Sequence, residues 1–169
     1  MVGLPGVGKT TRARELELEM GAVRLTPDEW LRPLFGSGND TEERDTLEGR
    51  FVALARRMLE VGQSVVLDFG LWSRAERDSL HDLANTCGAD YRIEYLDLAP
   101  EEQWRRVEQR QRSAPPDSFS ITREELVGFV DMFEAPTSGE LAARTAAAPP
   151  PEAGTWSSWR AARWPTSEW

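Results

Sequence analysis

The sequence predicts an α/β domain of three layers, with a mostly parallel sheet between helices, and three observations carry that prediction. A glycine-rich turn at the start runs directly into a helical segment. Short apolar runs of strand type alternate with amphipathic helical stretches. Helix-capping signals stand at the junctions, so the alternation reads as strand, turn and helix in repeated order. The 169 residues suit about one domain. Hydrophobic residues make up 40% and there are 13 glycines, enough apolar content for a core.

Each element has a local reason. Residues 9–20 have helix-forming composition, with Leu16 and Met20 four apart on one face, and Gly21 stops them. Ala22 to Leu25 is a short apolar strand. In Thr26-Pro27-Asp28-Glu29, Thr26 is the expected N-cap, Pro27 sits at the first helical position and Glu29 closes a capping box. Residues 35–41 are loop. A long helix follows from about Glu42 to Glu60, with Leu47, Phe51, Leu54 and Met58 on one stripe, and Gly62 ends it. Ser64 to Asp68 is a buried-type strand ending in a carboxylate.

Ser73-Arg74-Ala75-Glu76 is a second capping box, opening a helix to about Cys87. His81 is expected on its surface and Cys87 as a small buried hydrophobe. Tyr91 to Leu96 is the next strand. Pro100 begins a helix carrying Trp104, Arg105, Arg106, Arg110 and Arg112; residues 113–120 are loop, and Thr122 to Glu125 is a third capping box for a helix to about Phe133. Beyond Pro136 proline, alanine and serine dominate. The run AAAPPP at 146–151 is an extended linker, and four of the seven tryptophans fall at Trp156, Trp159, Trp164 and Trp169. Tryptophan is unusual in disorder, so this tail is expected to dock on the domain or on a partner. The expected organisation is a domain over residues 1–134, with a lid around 105–122, and a tail over 135–169.

Residues 3–10 read GLPGVGKT, a fit to G-x-x-x-x-G-K-[ST]. Glycines let successive backbone N–H groups point into one concavity, and the helix beginning near Lys9 adds its positive dipole end. This phosphate loop makes the expected fold a P-loop NTPase fold and assigns nucleotide phosphates to the stretch Leu4, Pro5, Gly6, Val7, Gly8, Lys9, Thr10 and Thr11. Lys9 reaches the β- and γ-phosphates, and the Thr10 hydroxyl is a ligand of Mg²⁺. Among 20 basic residues only Lys9 is lysine, so this position resists a strong arginine bias. Asp68, at the carboxyl end of its strand, points to the same edge and is the second candidate on the Mg²⁺ side. Only Met1 and Val2 precede Gly3, whereas a buried strand has about five or six residues. The first strand is therefore expected to be truncated, its remainder lying upstream of Met1.

Composition narrows the function. The net charge of −9 repels a phosphate backbone and disfavours general nucleic-acid binding. No apolar run is long enough to span a membrane and no secretory signal pattern is present, so a cytoplasmic protein is expected. One cysteine and one histidine do not make a zinc site. N-K-x-D, the guanine-reading sequence, is absent. Asp68-Phe69-Gly70 spells the protein-kinase triplet, but H-R-D and V-A-I-K are missing, so the triplet is coincidental.

With GLPGVGKTT, Asp28 and SVVLD in view, residues 1 to about 134 resemble the small P-loop kinase and AAA-type ATP-binding group. That group includes zeta toxins, polynucleotide 5'-hydroxyl kinases and chloramphenicol phosphotransferase. The resemblance implies that Asp28 accepts the proton of the acceptor hydroxyl, that Arg32 holds the acceptor, and that Arg106 and Arg110 form an R-x-x-x-R lid pair. The chain departs from the group in its short first strand and in having no clear strand after the lid helix. Arg106 and Arg110 also share a helix face by their spacing, just ahead of a loop suited to a mobile cationic lid. Arg74 and Arg77 are weaker candidates. The expected activity is transfer of the ATP γ-phosphoryl group to a hydroxyl of a small molecule, with ATP and Mg²⁺ bound at the loop. The alternatives are a nucleic-acid 5'-hydroxyl kinase and a non-catalytic ATP-binding module with a partner-binding tail.

Overall fold

The computed structural model describes residues 1–36, 41–113 and 120–168. Parts of the expected 35–41 loop, of the lid loop at 113–120 and the terminal Trp169 lie outside the described residues. The helices are α1 (Lys9–Met20), α2 (Pro27–Phe35), α3 (Thr41–Glu60), α4 (Arg74–Thr86), α5 (Pro100–Ser113), α6 (Arg123–Met132), α7 (Ser138–Ala142) and α8 (Trp156–Arg163). The regular strands are β1 (Val23–Leu25) and β2 (Val65–Leu67). The chain is thus α/β, with a parallel sheet smaller than expected.

β1 and β2 pair in parallel, with Val23 opposite Val65 and Leu25 opposite Leu67. The chain start lies on the other side of β2, where the Met1 amine donates to the Leu67 carbonyl at 2.8 Å. Val2 N–H donates to Glu94 O at 2.9 Å and Leu96 N–H to Val2 O at 3.0 Å, a single parallel bridge between Val2 and Tyr95. The spatial order is therefore β1, β2, Met1–Val2 and then residues 94–96. The strand expected over Tyr91 to Leu96 contracts to that bridge, because Met1–Val2 supplies only two residues to pair with.

Side-chain alternation splits the sheet between two faces. Met1, Ala22 and Val66 pack with Ala13 and Leu16 of α1. Val2 and Leu25 turn the other way, into a cluster with Leu47 and Phe51 of α3, Leu80 and Leu83 of α4, and Trp164. Two sequence expectations fail here. Met20 is half exposed although it shares the Leu16 stripe. His81 is buried rather than on the surface, its ring stacked on Tyr91 at 4.4 Å. His81 is buried because the segment carrying Tyr91 packs over its face of α4. Cys87 is partly buried against the larger cluster. Both boxes at Ser73–Glu76 and Thr122–Glu125 form, each N-cap side chain accepting from the third helical N–H.

The tail packs on the domain through α8, which lies against α4. Arg160 donates to Asp82 at 2.9 Å, and Arg163 reaches Asp45 of α3 and Glu76 of α4, both at 2.8 Å. Arg77 is fully buried and pairs with Glu140 of α7 at 2.5 Å. It also donates to the carbonyls of Leu71 and Trp72 at 3.0 and 3.1 Å, holding the turn in which Leu71 adopts a left-handed φ of 40°. Arg77 therefore serves the architecture and not the phosphate site. No described helix is long and apolar enough to cross a membrane.

Trp164 is the largest fully buried side chain among the described residues. Trp164→Ala leaves a cavity between α3, α4 and α8, and is expected to cost about 3–5 kcal/mol in denaturant unfolding. Its indole N–H points at Glu48 at 3.4 Å, and burial pushes the Glu48 carboxyl from 4.5 up to about 7 against the pull of Arg44 and Arg163. A carboxyl that is harder to ionise in the folded state holds more protons there than in the unfolded chain. Its contribution to stability is thus highest below pH 4.5 and declines as pH rises to about 7. Glu48→Gln is expected to flatten the stability profile across that window, as read by urea unfolding at several pH values.

Candidate active site

The phosphate loop begins where the Met1–Val2 segment leaves the sheet. Gly3 and Gly6 have left-handed φ values of 143° and 86°. A Cβ on Gly3 would collide with the Leu96 carbonyl, and one on Gly6 would come within 2.6 Å of Val107. These contacts demand glycine on steric as well as conformational grounds. Leu4 and Val7 are buried and anchor the loop between them. Gly8 is the left-handed N-cap of α1 and no side chain caps the helix, so its first N–H groups face the loop as the positive end of the dipole. Thr11 is exposed one position beyond Thr10.

Lys9 curls back across this turn, its ammonium donating to Leu4 O at 3.0 Å. Burial lowers its pKa from 10.5 to about 8; Asp68 and Asp28 draw it upward and Arg110 pushes it down. Both carboxylates and Arg110 thus act on the loop lysine through space.

Asp68 follows β2 directly and is almost wholly buried. Its Oδ2 accepts from the Thr26 hydroxyl at 3.2 Å and from Arg24 at 3.3 Å, while Oδ1 is buried without a hydrogen-bond partner. Burial raises its pKa, and interaction with the hydroxyls of Thr10 and Thr26 and with Arg24 opposes the rise. An unsatisfied carboxylate oxygen beside the Thr10 hydroxyl and the phosphate loop is an oxygen donor set of the kind a hard divalent cation takes. The residues present therefore fit Mg²⁺, with Thr10 and Asp68 on its protein side.

Thr26 is the N-cap residue of α2, but its side chain makes no cap hydrogen bond. The expected capping box with Glu29 does not form. The Thr26 hydroxyl is committed to Asp68 and Arg24, and Glu29 pairs with Arg24 at 2.6 Å and Arg14 at 3.1 Å. Asp28, next along α2, is largely exposed and pairs with Arg44 of α3 at 2.5 Å. Arg32 lies one turn further on the same face of α2 and is exposed.

The arginine helix α5 covers the loop. Gln103 donates to Pro5 O at 2.8 Å, Val107 packs over Gly6, and an Arg106 Nη lies 3.9 Å from where a Gly8 Cβ would sit. Arg106 is held by Glu102 at 2.9 Å. Its spacing partner Arg110 is exposed at the end of α5. Val107 also joins Ile121 and Leu126 in a small separate cluster that ties α5 to α6.

The fold thus gathers Lys9, Thr10 and Asp68 at the loop and sets Arg106 above it. Asp28 and Arg110 stand within electrostatic reach at the rim. Arg44, Thr26, Arg24 and Gln103 also contribute, and sequence reasoning missed them. Arg24 had one signal, a charge within a short apolar strand; the others act across contacts distant in sequence. The sequence profile of the AAA domain family matches residues 1–136, a span that contains every residue of this site. No curated protein matches the chain at a significant level.

Proposed function

The chain belongs to the AAA domain family, a P-loop, kinase-like group of nucleotide-binding domains, and from that premise we propose that it is an ATP-dependent kinase acting on a hydroxyl of a small molecule. The observation that supports this most directly is the built phosphate loop, in which Gly3 and Gly6 admit no side chain, Lys9 crosses the turn to Leu4 O at 3.0 Å and the buried Asp68 holds an unpartnered oxygen. In this reading the loop N–H groups and Lys9 bind the β- and γ-phosphates. Bound Mg²⁺, held by Thr10 and Asp68, supplies charge neutralisation on the phosphate oxygens. Asp28 takes the proton of the acceptor hydroxyl as its oxygen bonds to the γ-phosphorus. The bond from that phosphorus to the β–γ bridging oxygen breaks, and ADP leaves. Arg106 and Arg110 offset the charge on the transferring group, and Arg32 orients the acceptor.

The net charge of −9 favours a small acceptor over a nucleic-acid end. The Arg44–Asp28 ion pair favours a second reading, a nucleotide-binding module whose would-be base is neutralised. The pair is solvent-exposed, and such pairs contribute only about 0–1 kcal/mol, so an arriving acceptor can displace it.

Calorimetric titration of Mg·ATP into the full chain tests the nucleotide half of the proposal. Saturable binding is expected, and Thr10→Ala is expected to weaken it about tenfold with Mg²⁺ present. Without Mg²⁺ the two proteins should bind ATP alike. Absence of binding by the unaltered chain overturns the kinase reading.

A further inference from the structure

Glycine is a poor helix former, and one held in a helix interior usually has a packing reason. Gly49 is buried in the interior of α3. A Cβ there would collide with Thr166 Oγ1 and come within 3.2 Å of Ser167 N and of the Thr166 carbonyl carbon. The bare backbone at Gly49 is thus the seat on which the tail lies against α3. The tail is tied to the same half of that helix. Thr166 Oγ1 donates to Thr46 O at 2.6 Å, and Arg50 donates to the carbonyls of Thr166 and Glu168, both at 3.1 Å. Arg163 pairs with Asp45 at 2.8 Å. Leu47 is the first buried residue of α3, so these polar ties steady the end that carries Arg44.

Glu48 stands between the tail and Arg44. Its Oε2 faces the Trp164 indole N–H at 3.4 Å and Arg163 at 3.9 Å, while its Oε1 lies 3.7 Å from Arg44. Arg44 is closer to Asp28, at 2.5 Å. Arg44 and Glu48 are four apart on one helix, a spacing that lets the two side chains meet fully. A carboxylate shared between two guanidinium groups attracts each less than it would attract one alone. Arg163 and Trp164 therefore keep Glu48 from drawing Arg44 away from Asp28.

We propose that residues 163–168 act as an internal restraint on the acceptor side of the site: seated over Gly49 and tied to Asp45, Thr46 and Glu48, they hold the Arg44 guanidinium on the Asp28 carboxylate. Glu48 and Gly49 are positioning residues in this arrangement. With the tail unseated, Glu48 takes Arg44, and Asp28 is open to an arriving hydroxyl. The effect on turnover rests on the reading of Asp28 as the base; the effect on the ion pair does not.

Gly49→Ala in the full chain is the first test. Alanine stabilises an open helix position, but here it is expected to speed amide exchange at residues 44–48 and 160–167 by at least about fivefold. Adding Thr166→Ala makes room for the new methyl and should recover at least half of that protection. Unchanged exchange in Gly49→Ala overturns the proposal. The Arg44 Nε–H resonance, assigned by its loss in Arg44→Gln, reads the ion pair itself, which a merely structural tail would not move. Asp28→Asn should shift this resonance in the otherwise unaltered chain and leave it in place when combined with Gly49→Ala or with Arg163→Gln. An equal shift in all three backgrounds overturns the proposal. Adding Glu48→Gln to Arg163→Gln removes the competing carboxylate and should restore the response to Asp28→Asn; no restoration overturns the part given to Glu48. With water as acceptor, kcat for Mg·ATP hydrolysis should rise about two- to fivefold in Gly49→Ala and in Arg163→Gln, the range that loss of an exposed ion pair allows, with KM for ATP unchanged. An unchanged or lower kcat in a chain that hydrolyses ATP overturns the restraint on turnover. Absence of hydrolysis in every protein counts against the kinase reading alone, because exchange and the Arg44 resonance decide the restraint without nucleotide.

Discussion

Lys9→Ala is expected to lower kcat/KM for phosphotransfer by about 10³- to 10⁴-fold. The ammonium belongs to the chain's only lysine, is partly buried, and crosses the loop to Leu4 O at 3.0 Å. A charge-assisted contact to phosphate lost at binding contributes about 1.5–3 kcal/mol, and removing a positioned electrostatic donor costs about 10²- to 10³-fold in turnover. The lysine contributes little to packing, so the thermal midpoint should move by no more than about 2 °C. Lys9→Arg is not expected to rescue, because a planar guanidinium does not fit the ammonium's place beside the curled backbone. With the Lys9 pKa at about 8 before nucleotide binds, the charged form that phosphate selects is depleted above that pH. Affinity for Mg·ATP should therefore decline as pH rises through about 8. Unchanged turnover in Lys9→Ala, measured with the same acceptor, would sink the kinase assignment.

Asp28→Asn is expected to lower kcat by about 10²- to 10⁴-fold while leaving Mg·ATP affinity within about twofold. Asparagine keeps the shape of the side chain but cannot accept the hydroxyl proton. Asp28 stands at the first turn of α2 and is largely exposed, so in the proposed reading an acceptor would reach it with ATP at the loop. The Arg44 ion pair gives this experiment a control. Arg44→Gln frees Asp28, so a kinase should retain turnover with a changed KM for acceptor. A nucleotide-binding module should show no turnover in the unaltered chain or in either variant. Comparing kcat and KM across the three proteins, with ATP affinity measured separately, distinguishes the readings.

The phosphate loop was legible because its chemistry is local. Eight consecutive residues contain the glycines, the lysine and the hydroxyl, and their backbone conformations follow from residue type. The caps at Ser73 and Thr122 were legible for the same reason, being contacts three residues apart. Thr26 shows where local reading stops. It stands at the N-cap position with Pro27 and Glu29 placed to match, yet its hydroxyl serves Asp68, 42 positions away. A buried carboxylate needs partners more urgently than a helix end open to solvent, and so it takes the hydroxyl. His81 was misplaced for a related reason, since the segment carrying Tyr91 packs over its face of α4.

The sequence by itself determined the two short parallel strands and the helices beside them, the phosphate loop, the carboxylates at strand and helix ends, and the arginine helix, because each depends on residue type and short spacing. Only the tertiary structure decided that α5 lies across the loop through Gln103 and Val107, that Asp68 is left with an unsatisfied buried oxygen, that Arg44 pairs with Asp28, and that Trp164 closes the core. These are contacts between residues far apart in the chain. They are selected by competition for burial and for hydrogen-bond partners in the folded interior, and no short stretch of sequence contains both sides of that competition.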